Sequence, residues 1–148
     1  MKILLSNRRV LREYGLIEKY EAGIKLLGSE AKALKEGRGS LRGGFVKVKD
    51  GTVLLVGFKL PPYSMSGDKN YDPDRSRVLL LNKREIDKLS GFLSQKGCAA
   101  FPLKAYIKNN LIKLEIGVGR YLKKYERKEV VKERQEKRDL DRSLRGKV

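Results

Sequence analysis

Apolar and polar residues alternate along five stretches of this chain, which is the pattern of β-strands that bury one face. The alternation is cleanest from Ile112 to Val118, where every second residue is apolar. Glu18 interrupts the apolar face of the first stretch near its start. The pattern predicts strands over residues 16–26, 45–49, 52–58, 100–108 and 111–119.

Two dipeptides predict tight turns between consecutive strands. Asp50-Gly51 separates the second and third strands, and Asp-Gly between strand patterns is a strong signal for a type I′ turn. Asn109-Asn110 stands in the same position between the last two strands. Pro61-Pro62 ends the third strand, and a long polar loop continues from there to Arg77.

Three segments carry the start and stop signals of short helices. The clearest begins with a capping box made by Asn82 and Glu85, and Gly97 ends it. Ser29 is the predicted N-cap of another helix, which Gly37 closes in the left-handed conformation. These signals predict helices over residues 6–15, 30–36 and 82–96.

Five strands and three helices fit a mainly β protein with flanking helices. We expect a partly open, OB-like antiparallel β-barrel over residues 1–119, with the third helix covering its open end, and a basic C-terminal tail over residues 120–148. A length of 148 residues suits one such domain with an extension. Barrels of this kind are common platforms for RNA, which favours binding over catalysis.

The charge of the chain favours an anionic polymer as its partner. Lys and Arg number 35 against 18 acidic residues, giving a formal net charge of +17. A charge of this size steers association with nucleic acid, although surplus Lys can also serve solubility alone.

The residue types needed for most enzymatic and metal chemistry are scarce. The chain has no His and one Cys, Cys98, so it lacks the ligands of the usual zinc sites and cannot form an internal disulfide. Asp68, Asp72 and Asp74 lie in the polar loop, but their spacing fits no calcium loop. We therefore expect no metal and no cofactor. An RNA-processing enzyme would depend on scattered carboxylates and lysines.

No segment predicts export or membrane insertion. The N-terminal apolar run, Ile3 to Leu5, is too short for a signal peptide, and no apolar run is long enough to span a bilayer. We expect a cytoplasmic protein without a membrane partner.

The last 29 residues differ in composition from the rest, with 12 basic and 6 acidic residues. On a helical projection, many of the basic residues share one sector, whereas the apolar residues form no continuous stripe. Such a segment buries little against its own domain, so we expect it to be disordered alone and to fold on RNA. A solvated charged helix without function is the alternative.

Several segments, in order, resemble the SsrA-binding protein family (small protein B). The segments 20–24 (YEAGI) and 28–34 (GSEAKAL) resemble the family's FEAGI and GTEVKSL. Residues 79–89 (LLLNKREIDKL) resemble LLLHKREIRKL, and residues 102–120 resemble PLKLYFKNGRAKVEIALAK. In the tail, residues 125–129 (YERKE) stand where the family has YDKRE. The family is the protein partner of transfer-messenger RNA (tmRNA) in bacterial ribosome rescue.

The resemblance implies two sets of functional residues. Its RNA-binding set, expected to meet the tRNA-like half of tmRNA, is Asn7, Arg8, Arg12, Tyr14, Tyr20, Glu21, Gly23, Glu30, Lys32, Arg75, Arg77 and Leu80. Its ribosome-binding set in the tail is Lys123, Lys124, Glu126, Arg127, Lys128, Lys132, Arg134, Arg138 and Leu144. Within the first set, Arg75 and Arg77 are expected to contact phosphate.

Glu21 is an unusual residue for a surface that seeks phosphate. A carboxylate accepts hydrogen bonds from base amino groups or orients a neighbouring Arg, so it would add discrimination rather than attraction. The alternative is that Glu21 merely sits on the outer face beside Lys19 or Lys25. The resemblance favours the RNA-binding role.

The chain departs from the family pattern at a few positions. Arg12 replaces a His, so phosphate contact or stacking would survive there, but a role for a neutral imidazole would not. In the tail, Tyr121-Leu122-Lys123 stands where the family has Gly-Lys-Lys, and Glu136 stands where the family often has an aromatic residue.

We therefore expect a non-enzymatic RNA-binding adaptor that acts as a monomer in a 1:1 complex with tmRNA. The barrel would bind the tRNA-like domain, and the tail would occupy the decoding centre and mRNA channel of a stalled ribosome. A general OB-fold RNA-binding protein or a ribosomal protein is the alternative. Binding specificity distinguishes these functions, since an adaptor prefers one folded RNA whereas a general binder accepts any strand.

Overall fold

The computed structural model describes residues 1–62, 71–123 and 134–138. Within them, seven antiparallel strands form one sheet, accompanied by a 3₁₀ helix and two longer α-helices. The strands are β1 (Lys2–Ser6), β2 (Tyr14–Ile24), β3 (Phe45–Lys49), β4 (Thr52–Val56), β5 (Arg77–Leu80), β6 (Cys98–Lys108) and β7 (Leu111–Tyr121). The helices are the 3₁₀ helix (Arg8–Arg12), α1 (Gly28–Lys35) and α2 (Lys83–Leu93).

The sheet curls into a partly closed ring. Its strand order is β1-β6-β3-β4-β5-β2-β7, and β7 pairs back onto β6 along the whole hairpin. Strands β3 and β6, both described in full, pair only through Val46 and Ala100, so the ring is weakly joined there. The expected mainly β fold with flanking helices is confirmed.

Both predicted hairpin turns are present. Asp50 and Gly51 have φ values of 52° and 75°, and Asn109 and Asn110 have values of 52° and 62°. Positive φ at both central residues is the geometry of a type I′ turn, which matches the right-handed twist of the flanking strands. The turns fix the register of β3 on β4 and of β6 on β7.

The core lies on the inner face of the ring. Leu55, Leu114, Ile116 and Val118 are fully buried or nearly so. From α2, Leu89 is also fully buried and joins the same cluster. The predicted capping box of α2 is confirmed, because the Asn82 side chain accepts from the Glu85 N–H at 2.9 Å and Glu85 accepts from the Asn82 N–H at 3.2 Å.

The N-terminal region differs from the sequence-based prediction. Of the helix expected over residues 6–15, only Arg8–Arg12 is helical, as the 3₁₀ helix; Ser6 ends β1, and β2 starts already at Tyr14. The apolar run Ile3 to Leu5 lies in β1, an edge strand that pairs with β6. A strand this short is not detectable from the alternation of apolar and polar residues. β5 was likewise not predicted as a strand, because it is only four residues long.

Helix α1 begins earlier than predicted. Its N-cap is Leu27 rather than Ser29, and the Leu27 N–H donates to Glu30 Oε1 at 2.9 Å. Glu30, at position N3, thus accepts from the N-cap N–H in the way that the acidic residue of a capping box does. Gly37 closes the helix with φ of 78°, as expected.

Strand β7 extends two residues beyond the predicted end at Gly119. The next residue, Leu122, is 6% exposed, and its N–H donates to the Glu13 carbonyl at 2.8 Å. The folded domain therefore continues to Leu122.

Two glycines of β7 allow side chains to pack on the outer face of the sheet. A Cβ at Gly117 would lie 2.8 Å from Phe101 Cε2, and one at Gly119 would lie 2.8 Å from the Gly15 carbonyl oxygen. The aromatic rings of Tyr14 and Phe101 pack there, with centroids 5.1 Å apart. A second apolar cluster thus covers the outside of β2, β6 and β7.

We predict that Gly119→Ala lowers the free energy of unfolding by about 1–3 kcal/mol, because the added methyl group meets backbone that cannot move independently. The measurement is urea unfolding followed by circular dichroism. Gly91→Ala is the matched control, since nothing lies within 4 Å of its added Cβ in α2. That control should be stabilised by about 0.5–1 kcal/mol; equal destabilisation by both substitutions would contradict the packing argument.

Candidate RNA-binding surfaces

The residues expected to bind RNA fall into separate places in the fold. One group surrounds Glu21 towards the end of β2, and a second lines a groove beside the 3₁₀ helix. A third group, around Glu30, lies inside the protein. The outer side chains of β2 and its neighbours connect the first two groups.

The carboxylate of Glu21 is held by two donors from β6. Tyr106 Oη donates to Glu21 Oε2 at 2.5 Å, and Lys108 Nζ lies 3.4 Å from the same oxygen. The hydrogen bond from Tyr106 lowers the pKa of Glu21, and Lys108 adds to this effect although desolvation opposes it. Since the Glu21 side chain is 42% exposed, it is an ionised, oriented acceptor at the surface.

Leu80 lies on the neighbouring strand β5, opposite the residue two positions after Glu21. It pairs with Gly23 of β2 and is 50% exposed. A Cβ at Gly23 would lie 3.3 Å from the Cβ of Leu80, so the glycine leaves room for the leucine side chain. Glu21, Gly23 and Leu80 therefore form one surface, which combines a charged acceptor with an exposed apolar group.

A groove of about 720 Å³ lies beside the 3₁₀ helix. Three arginines line it, Arg9 and Arg12 from the helix and Arg42 from the segment before β3, and all three are exposed. Three aromatic residues, Tyr14, Phe45 and Phe101, also line it, and Phe45 is 48% exposed. Arginine with accessible aromatic faces is a combination suited to phosphate and bases.

Asn7 anchors one wall of this groove. Its Nδ2 donates to the carbonyls of Pro102 at 2.9 Å and Leu41 at 3.4 Å, and its backbone N–H donates to Leu103 at 2.7 Å. The residue is 8% exposed. Its amide nitrogen therefore fixes the start of the 3₁₀ helix to β6, and the RNA contact expected for Asn7 stays a prediction.

A buried ionic cluster centres on Glu30 of α1. Arg77 is fully buried, and its Nη2 lies 2.7 Å from Glu30 Oε2. Arg75 pairs with the other oxygen, and Tyr71 Oη donates to Oε2 at 2.9 Å. Burial alone would raise the pKa of Glu30, but the hydrogen bonds from Arg75, Leu27, Arg77 and Tyr71 outweigh it and lower the pKa to about 2.

This cluster corrects two of the expected RNA contacts. Arg77 has no exposed surface, and its remaining donors bind backbone carbonyls of Phe58, Pro73 and Arg75. Glu30 is 1% exposed. Both side chains hold α1 to β5 and the preceding loop, and neither reaches a phosphate. Arg75 is the intermediate case, since its side chain is 32% exposed although it pairs with Glu30.

The other expected RNA contacts are distributed as follows. Tyr20 is 7% exposed and belongs to the core, because it points to the inner face of β2; the expectation of direct contact is corrected for this residue. Arg8 is exposed on the 3₁₀ helix but does not line the groove. Lys32 lies on α1 and is exposed.

Only part of the expected tail surface is described. Lys123 is exposed, and residues 134–138 are helical and exposed, including Arg134 and Arg138. Arg134 Nη2 donates to the Leu11 carbonyl of the 3₁₀ helix at 3.2 Å. The remaining expected tail residues, Lys124, Glu126, Arg127, Lys128, Lys132 and Leu144, lie outside the described residues. Asp68 of the polar loop also lies outside them.

The described part of the chain offers no metal site of the usual composition. It contains no group of three or more His, Cys, Asp or Glu side chains placed to hold a metal ion. Among the same residues, no helix is both long enough and apolar enough to cross a membrane.

Sequence reasoning missed several residues that complete these surfaces. Tyr106 and Lys108 hold Glu21, and Arg9, Arg42 and Phe45 line the groove. The position of Tyr106 opposite Lys113 follows from counting back from the Asn109-Asn110 turn. Its approach to Glu21 does not, because it depends on how β2 pairs with β7.

We predict that Glu30→Gln lowers the free energy of unfolding at pH 7 by about 3–5 kcal/mol, because it leaves the buried charge of Arg77 without its counterion. Chemical unfolding measures this. The matched control is Glu36→Gln, which removes an exposed ion pair to Arg38 at 3.4 Å and should change stability by less than about 1 kcal/mol.

The same ion pair predicts an acid dependence. The pKa of Glu30 is lowered on folding from 4.5 to about 2, so its stabilisation is complete above about pH 4.5 and is lost as the pH falls towards 2. Stability measured between pH 7 and pH 2 should therefore fall less steeply for Glu30→Gln than for the wild type. Parallel curves would contradict the assignment.

Comparison with known proteins assigns the chain to a family. Residues 4–146 match the family model described as SmpB protein. The SsrA-binding protein of Sulfurihydrogenibium sp. (strain YO3AOP1) is 41% identical over 147 residues, which are 99% of this chain and 97% of that protein. The SsrA-binding protein of Gloeobacter violaceus (strain ATCC 29082 / PCC 7421) is 42% identical over 144 residues, covering 97% and 95% of the two chains.

A solved structure agrees with these relatives. A chain from the structure "tmRNA-SmpB: a journey to the center of the bacterial ribosome" is 38% identical, with a TM-score of 0.68. The similarity covers 86% of this chain and 93% of that chain. The expected resemblance is confirmed, and the chain belongs to the SmpB protein family.

Proposed function

We propose that this protein is an RNA-binding adaptor that binds the tRNA-like domain of tmRNA and delivers it to stalled ribosomes for trans-translation. Its C-terminal tail occupies the decoding centre and mRNA channel, and the protein itself makes and breaks no covalent bond. The observation that carries the proposal is the oriented, exposed carboxylate of Glu21 beside exposed Leu80, on a protein with a net charge of +17 in the SmpB family.

The Glu21 surface supplies discrimination. A carboxylate repels phosphate, so on a basic protein it weakens binding to any strand that offers only backbone. It strengthens binding where a base or sugar donor faces it. Leu80, half exposed on the next strand, provides apolar contact area at the same place.

The groove supplies attraction. Arg9, Arg12 and Arg42 converge on it from two segments, and guanidinium groups bind phosphate with two parallel hydrogen bonds. The exposed ring of Phe45 provides a face on which a base can stack. Arg12, which stands in place of the family's His, keeps the capacity for phosphate contact and stacking.

Competition binding at physiological salt tests the proposal. The labelled tRNA-like half of tmRNA is challenged with excess bulk tRNA and with unstructured RNA. The adaptor function predicts that the label stays bound, because shape and base donors are recognised in addition to charge. Equal competition by bulk tRNA would instead favour a general RNA-binding or ribosomal protein.

We predict that Arg12→Gln and Arg42→Gln each reduce the slope of log affinity against log salt by about 1, because each removes one phosphate contact. Filter binding to the tRNA-like RNA over a range of salt concentrations measures the slope. The matched control is Lys88→Gln on the exposed side of α2, which does not line the groove and should leave the slope unchanged. A slope unchanged by all three substitutions would remove the groove from the interface.

We predict that a stop after Lys123 preserves folding and tRNA-like RNA binding but abolishes rescue of stalled ribosomes. The cut lies beyond Leu122, so it keeps this buried residue, which is 6% exposed. Thermal unfolding, RNA binding and tagging of a stalled nascent chain are the three measurements. A stop after Gly119 is the control, because it removes the end of β7 and should lower stability as well. If the stop after Lys123 destroyed RNA binding, the proposed division between domain and tail would be wrong.

A further inference from the structure

Tyr106 is nearly buried, yet its hydroxyl reaches an exposed carboxylate. It is 3% exposed, whereas the Glu21 side chain is 42% exposed. Its strand, β6, is paired on both sides, with Ile3 of β1 opposite Tyr106 on one edge and Lys113 of β7 opposite it on the other. The ring is further enclosed by Lys104, whose Nζ lies 5.6 Å from the ring centroid. The hydroxyl is therefore presented from a fixed position.

The contacts of Glu21 are unequal at its two oxygens. Oε2 accepts from Tyr106 Oη at 2.5 Å and from Lys108 Nζ at 3.4 Å. Among the described residues, none donates a hydrogen bond to Oε1. The neighbouring acid, Glu115, is engaged elsewhere, with Lys19 at 3.8 Å and Lys104 at 3.6 Å. One oxygen of Glu21 is thus fixed and the other is open to an external donor.

We infer that Tyr106 is a positioning residue for RNA recognition: its hydroxyl holds Glu21 Oε2, so that Oε1 is aimed at a base amino or imino N–H of the RNA. This inference rests on the proposed function. A carboxylate on a freely rotating side chain would lose conformational entropy when it binds RNA. An exposed carboxylate can also pair with neighbouring lysines of the same protein. The hydrogen bond from Tyr106 fixes the orientation before RNA arrives.

Two lysines also face the carboxylate of Glu21. Lys108 contacts the same oxygen as Tyr106, Oε2, at the longer distance of 3.4 Å, and Lys113 acts on the carboxylate through its charge alone. Tyr106 is the larger influence on its pKa, and in turn burial and the carboxylate raise the pKa of Tyr106. The tyrosine therefore remains a hydrogen-bond donor throughout the physiological range.

A double-mutant cycle with the full-length protein tests the inference. The four proteins are wild type, Tyr106→Phe, Glu21→Ala and the double variant, each titrated with the tRNA-like half of tmRNA. Tyr106→Phe keeps the ring and its packing, and we expect it to weaken binding about 3- to 10-fold. In the Glu21→Ala background, the same substitution should have almost no effect, because Tyr106 acts only through Glu21.

A second readout does not depend on RNA. The pKa of the Glu21 carboxyl, followed by NMR of its side chain, should rise in Tyr106→Phe, since the main group lowering it has been removed. Tyr121→Phe is the matched control. It removes a hydroxyl seven residues along the paired strands from Glu21, roughly 23 Å away, and should leave the pKa of Glu21 unchanged.

The outcomes separate the inference from the proposed function. Equal loss of affinity in both backgrounds, or an unchanged Glu21 pKa in folded Tyr106→Phe, overturns the positioning role. If wild type binds bulk tRNA as tightly as the tRNA-like RNA, the proposed function fails, and the NMR measurement still decides whether Tyr106 controls Glu21. Preferential binding by wild type, with an effect of Tyr106→Phe that requires Glu21, supports both.

Discussion

The buried ion pair between Glu30 and Arg77 is the interaction on which the arrangement of the candidate surfaces depends. Both side chains are inaccessible to solvent, so removal of either leaves a charge in the interior without compensation. The pair also fixes position, because Arg77 is the first residue of β5 and Leu80 is the last. The same arginine binds the Phe58 carbonyl beyond β4, and Glu30 caps the first turn of α1. An internal electrostatic contact therefore sets where an exposed leucine meets β2.

The irregular pairing of β2 explains how one strand serves two surfaces. The register with β7 shifts between Leu16 and Glu18, which are paired with Gly119 and Val118. An extra residue in a strand increases the local twist. Before the shift, Tyr14 packs on the outer aromatic cluster beside the groove. After it, Glu21 and Gly23 face outward towards β6 and β5, while Ala22 fills the core. This shift accounts for the interruption of the hydrophobic pattern at Glu18.

Local sequence signals predicted much of the fold, whereas the pairing of distant strands determines which residues come together at the candidate surfaces. The Asp50-Gly51 turn and the Asn82 capping box followed from chemistry within four residues. The edge strand β1 had no such signal, because its place is set by β6, almost a hundred residues away. The role of Arg77 was misjudged for the same reason: an arginine in a polar loop usually faces solvent, and only its approach to Glu30 makes it an interior residue. The contact of Tyr106 with Glu21 similarly requires the pairing of both strands with β7.

The 3₁₀ helix links the groove to the tail. Glu13, the residue after this helix, lines the groove, and its carbonyl accepts the N–H of Leu122, which is buried near the start of the tail. Arg134 of the tail donates to the Leu11 carbonyl of the same helix. A ligand in the groove therefore lies against the backbone that anchors the start of the tail. Both contacts are made by backbone carbonyls at the end of this helix, between residues that line the groove.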